Sequence, residues 1–171
     1  MTERHIATSI ANARSYLTSN PAEARYRDGA ATASIEDGLR VRVTAPDGAT
    51  LVTDMVPAVG GGASAPSPGW VFRAAYASCV ATLIAMRAAE DGWSAAAIEV
   101  TVDSESDDRG ILGIDRDVPA GPISMRVAIA GSLGGAMEPA VREGIEDAIA
   151  RCPVHDAVVR GIPVEVTIDL S

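Results

Sequence analysis

The chain of 171 residues contains two cysteines, Cys79 and Cys152, and no other thiol. A thiolate is a nucleophile and a metal ligand, whereas a protonated buried thiol behaves as a small hydrophobe. Surroundings decide which of the two each cysteine is. Cys152 precedes Pro153, a residue suited to the first position of a helix, which places Cys152 at or near the N-cap. There the helix dipole and unpaired amides favour the ionised form, so the local sequence makes Cys152 the more easily ionised thiol. Cys79 lies among apolar residues in the middle of a helical pattern. Alone, that pattern describes an inert core cysteine. A nucleophilic Cys79 would need a cation brought by the fold, because the dipole fades beyond the first helical turn. Arg73 is a poor source, since six residues of helix turn it about 120° away from Cys79.

Other chemistries find less support. The cysteines are far apart in sequence, so no Cys-x-x-Cys motif exists. A metal site drawn from Cys79, Cys152, His155 and His5 has suitable ligand types but lacks the paired spacing of zinc sites. Neither histidine accompanies a nucleophile-elbow pattern. Gly60-Gly61-Gly62 has no following Gly-Lys-Ser/Thr and no Gly-x-Gly-x-x-Gly spacing, so it reads as a flexible connector rather than a phosphate cradle. No resident metal or cofactor is expected.

The elements that must hold these residues follow from periodicity. Thr8–Leu17 reads as an amphipathic helix anchored by Ile10 and Leu17. Residues 22–33 read as extended, with a turn at Asp28-Gly29. Leu39–Thr44 alternates apolar and charged residues, Pro46-Asp47-Gly48 turns the chain, and Thr50–Met55 returns as a hairpin partner. After the loop Val59–Gly69, Trp70–Glu90 forms a long helix that is apolar on both faces, which predicts burial all round. Strands follow at Ile98–Ser104 and Pro122–Ile129, separated by a polar loop over 106–118. A helix at Met137–Arg151, a short helical turn from Cys152-Pro153 and an alternating strand over Ile162–Leu170 complete the order. A helix, three strands, a buried helix, two strands, a helix and a strand make an α+β fold rather than a βαβ alternation.

Composition limits the function classes. The net charge of −9 argues against a nucleic-acid partner, which needs a basic face. The N-terminus lacks an apolar leader pattern, and the longest uncharged apolar run, Ala74–Met86, is too short for a membrane span. A cytoplasmic protein without a membrane or nucleic-acid partner is expected, and two cysteines are too few for a disulfide-stapled secreted domain.

Several segments resemble the OsmC/Ohr family of organic hydroperoxide resistance proteins. Pro66-Ser-Pro68 followed by Trp70-Val-Phe-Arg-Ala-Ala-Tyr-Ala-Ser-Cys79 resembles the segment that carries the family's reactive cysteine. Arg151-Cys152-Pro-Val-His-Asp-Ala157 is similar to its second cysteine motif. Asp108-Arg-Gly110 with Leu112-Gly113, and Arg27-Asp28-Gly29, resemble two of its turns. The likeness runs over residues 22–171 and leaves 1–21 as an N-terminal helical extension. It implies an OsmC-like α+β fold, as an intertwined homodimer with antiparallel sheets wrapped around long buried central helices. It also implies a chemistry. Cys79 attacks the peroxide to give a sulfenic acid, Cys152 condenses with it to a disulfide, and an external dithiol on a lipoylated or thioredoxin-like protein resets the pair. Arg27, with Arg25, Arg40 and Arg42 as nearby alternatives, stabilises the Cys79 thiolate, and Phe72, Tyr76 and Leu83 line an apolar site for organic, including fatty-acid, hydroperoxides. Many members carry a glutamate ten residues before the first cysteine to orient the arginine, and here that position is Gly69. The departure leaves a second reading, a non-catalytic dimer that binds a small apolar molecule or senses redox state.

Overall fold

The computed structural model describes residues 3–131 and 138–170. It divides into two compact units, Thr8–Ala75 and Tyr76–Ser171, with Met1–Ala7 assigned to the second. The α+β class is observed: two antiparallel sheets accompany five helices among the described residues.

Helix α1 spans Glu3–Ser19, longer at both ends than the amphipathic pattern suggests, and belongs to the first unit from Thr8 onward. Ile10 is half-buried and Leu17 exposed, so neither anchors the helix in a core. Strands β1 (Thr32–Asp37), β2 (Arg40–Thr44) and β3 (Thr50–Thr53) form a meander in that order. The first strand therefore lies later than the extended stretch expected over 22–33, whose beginning is instead a 3₁₀ turn at Pro21–Ala24. The alternation in β2 works as read. Val41 and Val43 are half-buried, while Arg40 and Arg42 both pair with Glu36 at 3.1 and 2.5 Å. The β2–β3 turn closes at Gly48, whose φ of 89° is a conformation that favours glycine.

The glycine loop is not a slack connector. Asp54, only 3% exposed, accepts bonds from the backbone N–H of Met55, Gly62 and Ser64 and from the Ser64 hydroxyl, at 2.7, 3.2, 2.9 and 2.7 Å. Arg40 donates to the same hydroxyl oxygen at 2.6 Å. These bonds to the ionised form hold the Asp54 carboxyl at a pKa of about 2. Gly61 packs so tightly that a Cβ would lie 2.0 Å from the Met55 carbonyl oxygen.

Helix α2 spans Pro68–Asp91. Ser67 starts it by accepting the Trp70 N–H on its hydroxyl at 3.2 Å, with Pro68 in the first turn. Gly92, at φ 77°, ends it, and Trp93 N–H bonds back to the Ala88 carbonyl. Tyr76, Val80, Ile84 and Ala88 recur every four residues as the buried stripe. The all-round burial expected of this helix is not met within one chain, since Phe72, Ser78, Ala81 and Thr82 are exposed. Counted as a helix rather than an uncharged run, α2 is long and apolar enough to cross a membrane. Its stripe lies instead in the protein core, and a core helix passes the same test of length and composition.

In the second unit, β4 (Glu99–Glu105) pairs antiparallel with β5 (Ser124–Ala130), with Val100 opposite Ile129 and Val102 opposite Val127. These residues pack on the α2 stripe together with Ala148 and Ile145 of α4 (Glu138–Ala150). The predicted start of that helix at Met137 lies outside the described residues. The loop expected over 106–118 contains a single-turn helix, α3 (Asp108–Ile111), capped by the Asp107 carboxylate. Arg87 of α2 reaches Asp147 of α4 at 3.2 Å while also pairing with Asp91 at 2.7 Å. Helix α5 (Pro153–Arg160) follows. The alternating segment Ile162–Leu170 forms no strand. A strand needs a partner for its backbone groups, and none is supplied within the described chain, so Val164, Val166, Ile168 and Leu170 remain 75–91% exposed.

Candidate functional site

The two cysteines meet. Cys79 lies one turn past Tyr76 on α2, and Cys152 is the N-cap of α5. Both are free thiols, with the sulfurs 3.0 Å apart and the Cys152 thiol donating toward Cys79. A disulfide is about 2.05 Å long, so bonding would draw the sulfurs together by about 1 Å. Cys152 is fully buried, in the cluster of Tyr76, Val80, Ile84 and Ala148, whereas Cys79 is partly accessible. The Cys152 sulfur accepts the His155 N–H at 3.5 Å. The His155 ring bonds through Nδ1 to the Tyr76 hydroxyl at 2.5 Å.

Burial changes the electrostatics expected from the helix end. Cys152 does cap α5, and the N–H groups of His155 and Val154 favour its thiolate. Desolvation outweighs them, and the hydrogen bond to Cys79 adds to it, so the Cys152 thiol is pushed up from the ordinary range. The cap alone makes Cys152 the more easily ionised cysteine; in the fold, burial opposes that influence and raises the thiol. Tyr76 is also raised, by burial and then by the neighbouring Cys152 sulfur. Among the described residues, no three of His, Cys, Asp and Glu gather where they could hold a metal ion.

A family profile for OsmC-like proteins matches residues 60–167, a span that carries both cysteine segments. This chain belongs to the OsmC-like family. Solved structures agree on the fold. An organic hydroperoxide resistance protein, OsmC, from Legionella pneumophila is similar over 79% of this chain and 91% of its own, at 21% identity and a TM-score of 0.57. An OsmC-like protein from Mycoplasma pneumoniae covers 81% and 91%, at 14% identity and a TM-score of 0.67. An organic hydroperoxide resistance protein from Elizabethkingia anophelis covers 80% and 91%, at 18% identity and a TM-score of 0.58. No curated protein matches the sequence.

The residues expected at the site of this OsmC-like protein are distributed unevenly. Cys79, Cys152, Tyr76 and Leu83 share the second unit, with Leu83 packed against the cluster that buries Tyr76 and Cys152. Tyr76 is 3% exposed and turns its hydroxyl to His155. Phe72 is exposed on the first turns of α2, in the first unit. Arg27 is exposed in the same unit, on the irregular stretch before β1. Sequence reasoning missed two residues. His155 reads from the sequence as a candidate metal ligand, as a histidine without a nucleophile elbow and as a member of the second cysteine motif, but not as a partner of Tyr76, although its place three residues after a helix-capping cysteine offers a signal. Asp54 gave no signal, because its partners lie in a loop whose path the sequence does not specify.

Proposed function

We propose that this OsmC-like protein is a thiol-dependent peroxidase that reduces organic hydroperoxides, including those of fatty acids, to alcohols. One observation carries the reading: two free thiols lie in contact, and only Cys79 is accessible to a substrate. The Cys79 thiolate attacks the terminal peroxide oxygen, the O–O bond breaks, and the alkoxide leaves as an alcohol after taking a proton. Cys79 is then a sulfenic acid. The Cys152 thiol condenses with it, forming the disulfide and releasing water. An external dithiol, on a lipoylated or thioredoxin-like protein, exchanges with that disulfide and is itself oxidised. A fully buried Cys152 suits the second role, since a peroxide must reach the sulfur it oxidises. Arg27 is assigned to stabilise the Cys79 thiolate, and Phe72, Tyr76 and Leu83 to form the apolar surroundings that favour an organic substrate.

The working unit is proposed to be a cytoplasmic homodimer without a nucleic-acid or membrane partner. A single chain leaves Ile35, Phe72 and the alternating residues Val164, Val166 and Ile168 exposed, and a second copy that pairs with these segments would cover them. Gly69, in place of the glutamate found in many relatives, favours the second reading of a non-catalytic, ligand-binding or redox-sensing dimer.

Steady-state reduction of cumene hydroperoxide with a dithiol reductant separates the readings. Cys79→Ser should abolish turnover. Cys152→Ser should give one stoichiometric turnover and a sulfenic acid that a dimedone probe traps. A Cys79→Ser protein that retains more than a small fraction of wild-type activity would overturn the assignment.

A further inference from the structure

We infer that Tyr76 and His155 are positioning residues for the cysteine pair: their hydrogen bond clamps α2 to α5 and raises the tendency of Cys79 and Cys152 to form a disulfide. The inference rests on the proposed dithiol chemistry but is read out separately from peroxide turnover.

The geometry is a two-rung ladder. Tyr76 and Cys79 are three residues apart and share one face of α2. Cys152 and His155 are three residues apart across the first turn of α5. One rung is the sulfur contact at 3.0 Å, and the other is the Tyr76–His155 bond at 2.5 Å. His155 also touches the thiol directly, since its backbone N–H donates to the Cys152 sulfur. One residue therefore holds the Cys152 sulfur through its backbone and the facing helix through its ring.

A purely space-filling account leaves the polar atoms unexplained. Tyr76 is 3% exposed, and its hydroxyl needs a partner when buried. Many partners would satisfy it. This one is supplied by the same helical turn that carries the second cysteine. Two thiols on separate elements form a disulfide in proportion to how often they meet, and a fixed second contact between those elements raises that local concentration. By reciprocity the disulfide fixes the two turns that carry the Tyr76–His155 bond, so that bond is made more fully in the disulfide than in the dithiol, and a sulfur movement of only about 1 Å leaves it intact.

The test measures the equilibrium between dithiol and disulfide in glutathione buffers. In this reaction the two thiols give two electrons and two protons to glutathione disulfide, yielding the protein disulfide and two molecules of glutathione. The full-length wild type is compared with Tyr76→Phe, which deletes one oxygen, and with His155→Leu, which removes the ring nitrogens. His155→Asn is the conservative partner, because its amide places a hydrogen-bonding atom near the position of Nδ1 and can donate or accept. Losing the bond should lower the equilibrium constant severalfold, up to about tenfold if it is made fully only in the disulfide, which makes the potential up to about 30 mV less negative for a two-electron couple. Tyr76→Phe and His155→Leu should both show this shift, and His155→Asn should stay near wild type. An unchanged constant in Tyr76→Phe, which preserves the core ring, would overturn the inference. So would a shift in His155→Asn as large as that in His155→Leu. If the wild-type cysteines form no disulfide in any buffer, the proposed dithiol chemistry itself fails, and the two failures are told apart.

Discussion

Gly69→Glu probes how the start of α2 handles the carboxylate that many relatives place there. The substitution is sterically simple. A Cβ on Gly69 would lie 3.8 Å from Nη1 of Arg73, an ordinary contact, so the new side chain meets a guanidinium one turn along the helix. An acid four residues before a base is the favourable order and stabilises by about 0.2–0.5 kcal/mol. A negative charge in the first turn of α2 adds about 0.3–1 kcal/mol through the helix dipole. Replacing glycine inside a helix adds up to about 1 kcal/mol, less near the end. The total is about 1–2 kcal/mol. At roughly 2–4 °C per kcal/mol for a chain of this size, Tm should rise by about 2–8 °C. The first two contributions are screened in ~1 M salt, where the Debye length falls to about 3 Å, so about half of the gain should disappear. Calorimetry at low and high salt measures both quantities. A pH series of cumene hydroperoxide reduction completes the experiment. With the carboxylate captured by Arg73, the midpoint of the rate curve should not move. No gain in Tm, a gain insensitive to salt, or a midpoint shifted to lower pH would refute the reasoning, the last by showing that the carboxylate acts on the cation proposed to stabilise the Cys79 thiolate instead.

Further outcomes follow from the same structure. The Asp54 carboxyl, depressed to about 2, contributes stability that is present above the ordinary carboxylate range near pH ~4 and is lost as pH falls toward about 2; Asp54→Asn should flatten the Tm curve in that window and lower its plateau, and an unaltered acid limb would count against the loop anchor. Gly61→Ala should also lower Tm, because its Cβ cannot fit beside the Met55 carbonyl; an unchanged Tm would show that this loop yields easily. Ile84→Ala, at a fully buried position, should cost about 2–5 kcal/mol in urea unfolding, and a loss below about 1 kcal/mol would mean that the α2 stripe is loosely packed. Val166→Asp should weaken the proposed homodimer in sedimentation at micromolar concentration, whereas an unchanged dimer would exclude the C-terminal segment from the interface.

Local chain physics made much of the fold legible. Gly92 closes α2, Asp47-Gly48 turns the β2–β3 hairpin, and Cys152-Pro153 caps α5, each within a few residues of the signal that specifies it, whereas α2 opens at Pro68, inside the stretch expected to be loop. The alternation of Val41 and Val43 with arginines likewise predicted which face of β2 is apolar. Where pattern and structure part, a partner distant in sequence is involved. Ile162–Leu170 has strand periodicity, but periodicity supplies no neighbouring strand. The glycine run looked like slack until Asp54 gathered its amides.

The site divides along the same line. The residue types, the N-cap position of Cys152 and the helical setting of Cys79 belong to the sequence itself, because capping and helical periodicity act over one or two turns. The meeting of the sulfurs, the Tyr76–His155 bond and the upward shift of the Cys152 thiol were decided only by tertiary packing. The helix end does favour a thiolate, but its effect is modest and local, whereas burial withdraws water from the sulfur altogether. Which influence prevails depends on what α2 and α4 place over Cys152, and no short stretch of sequence contains that information.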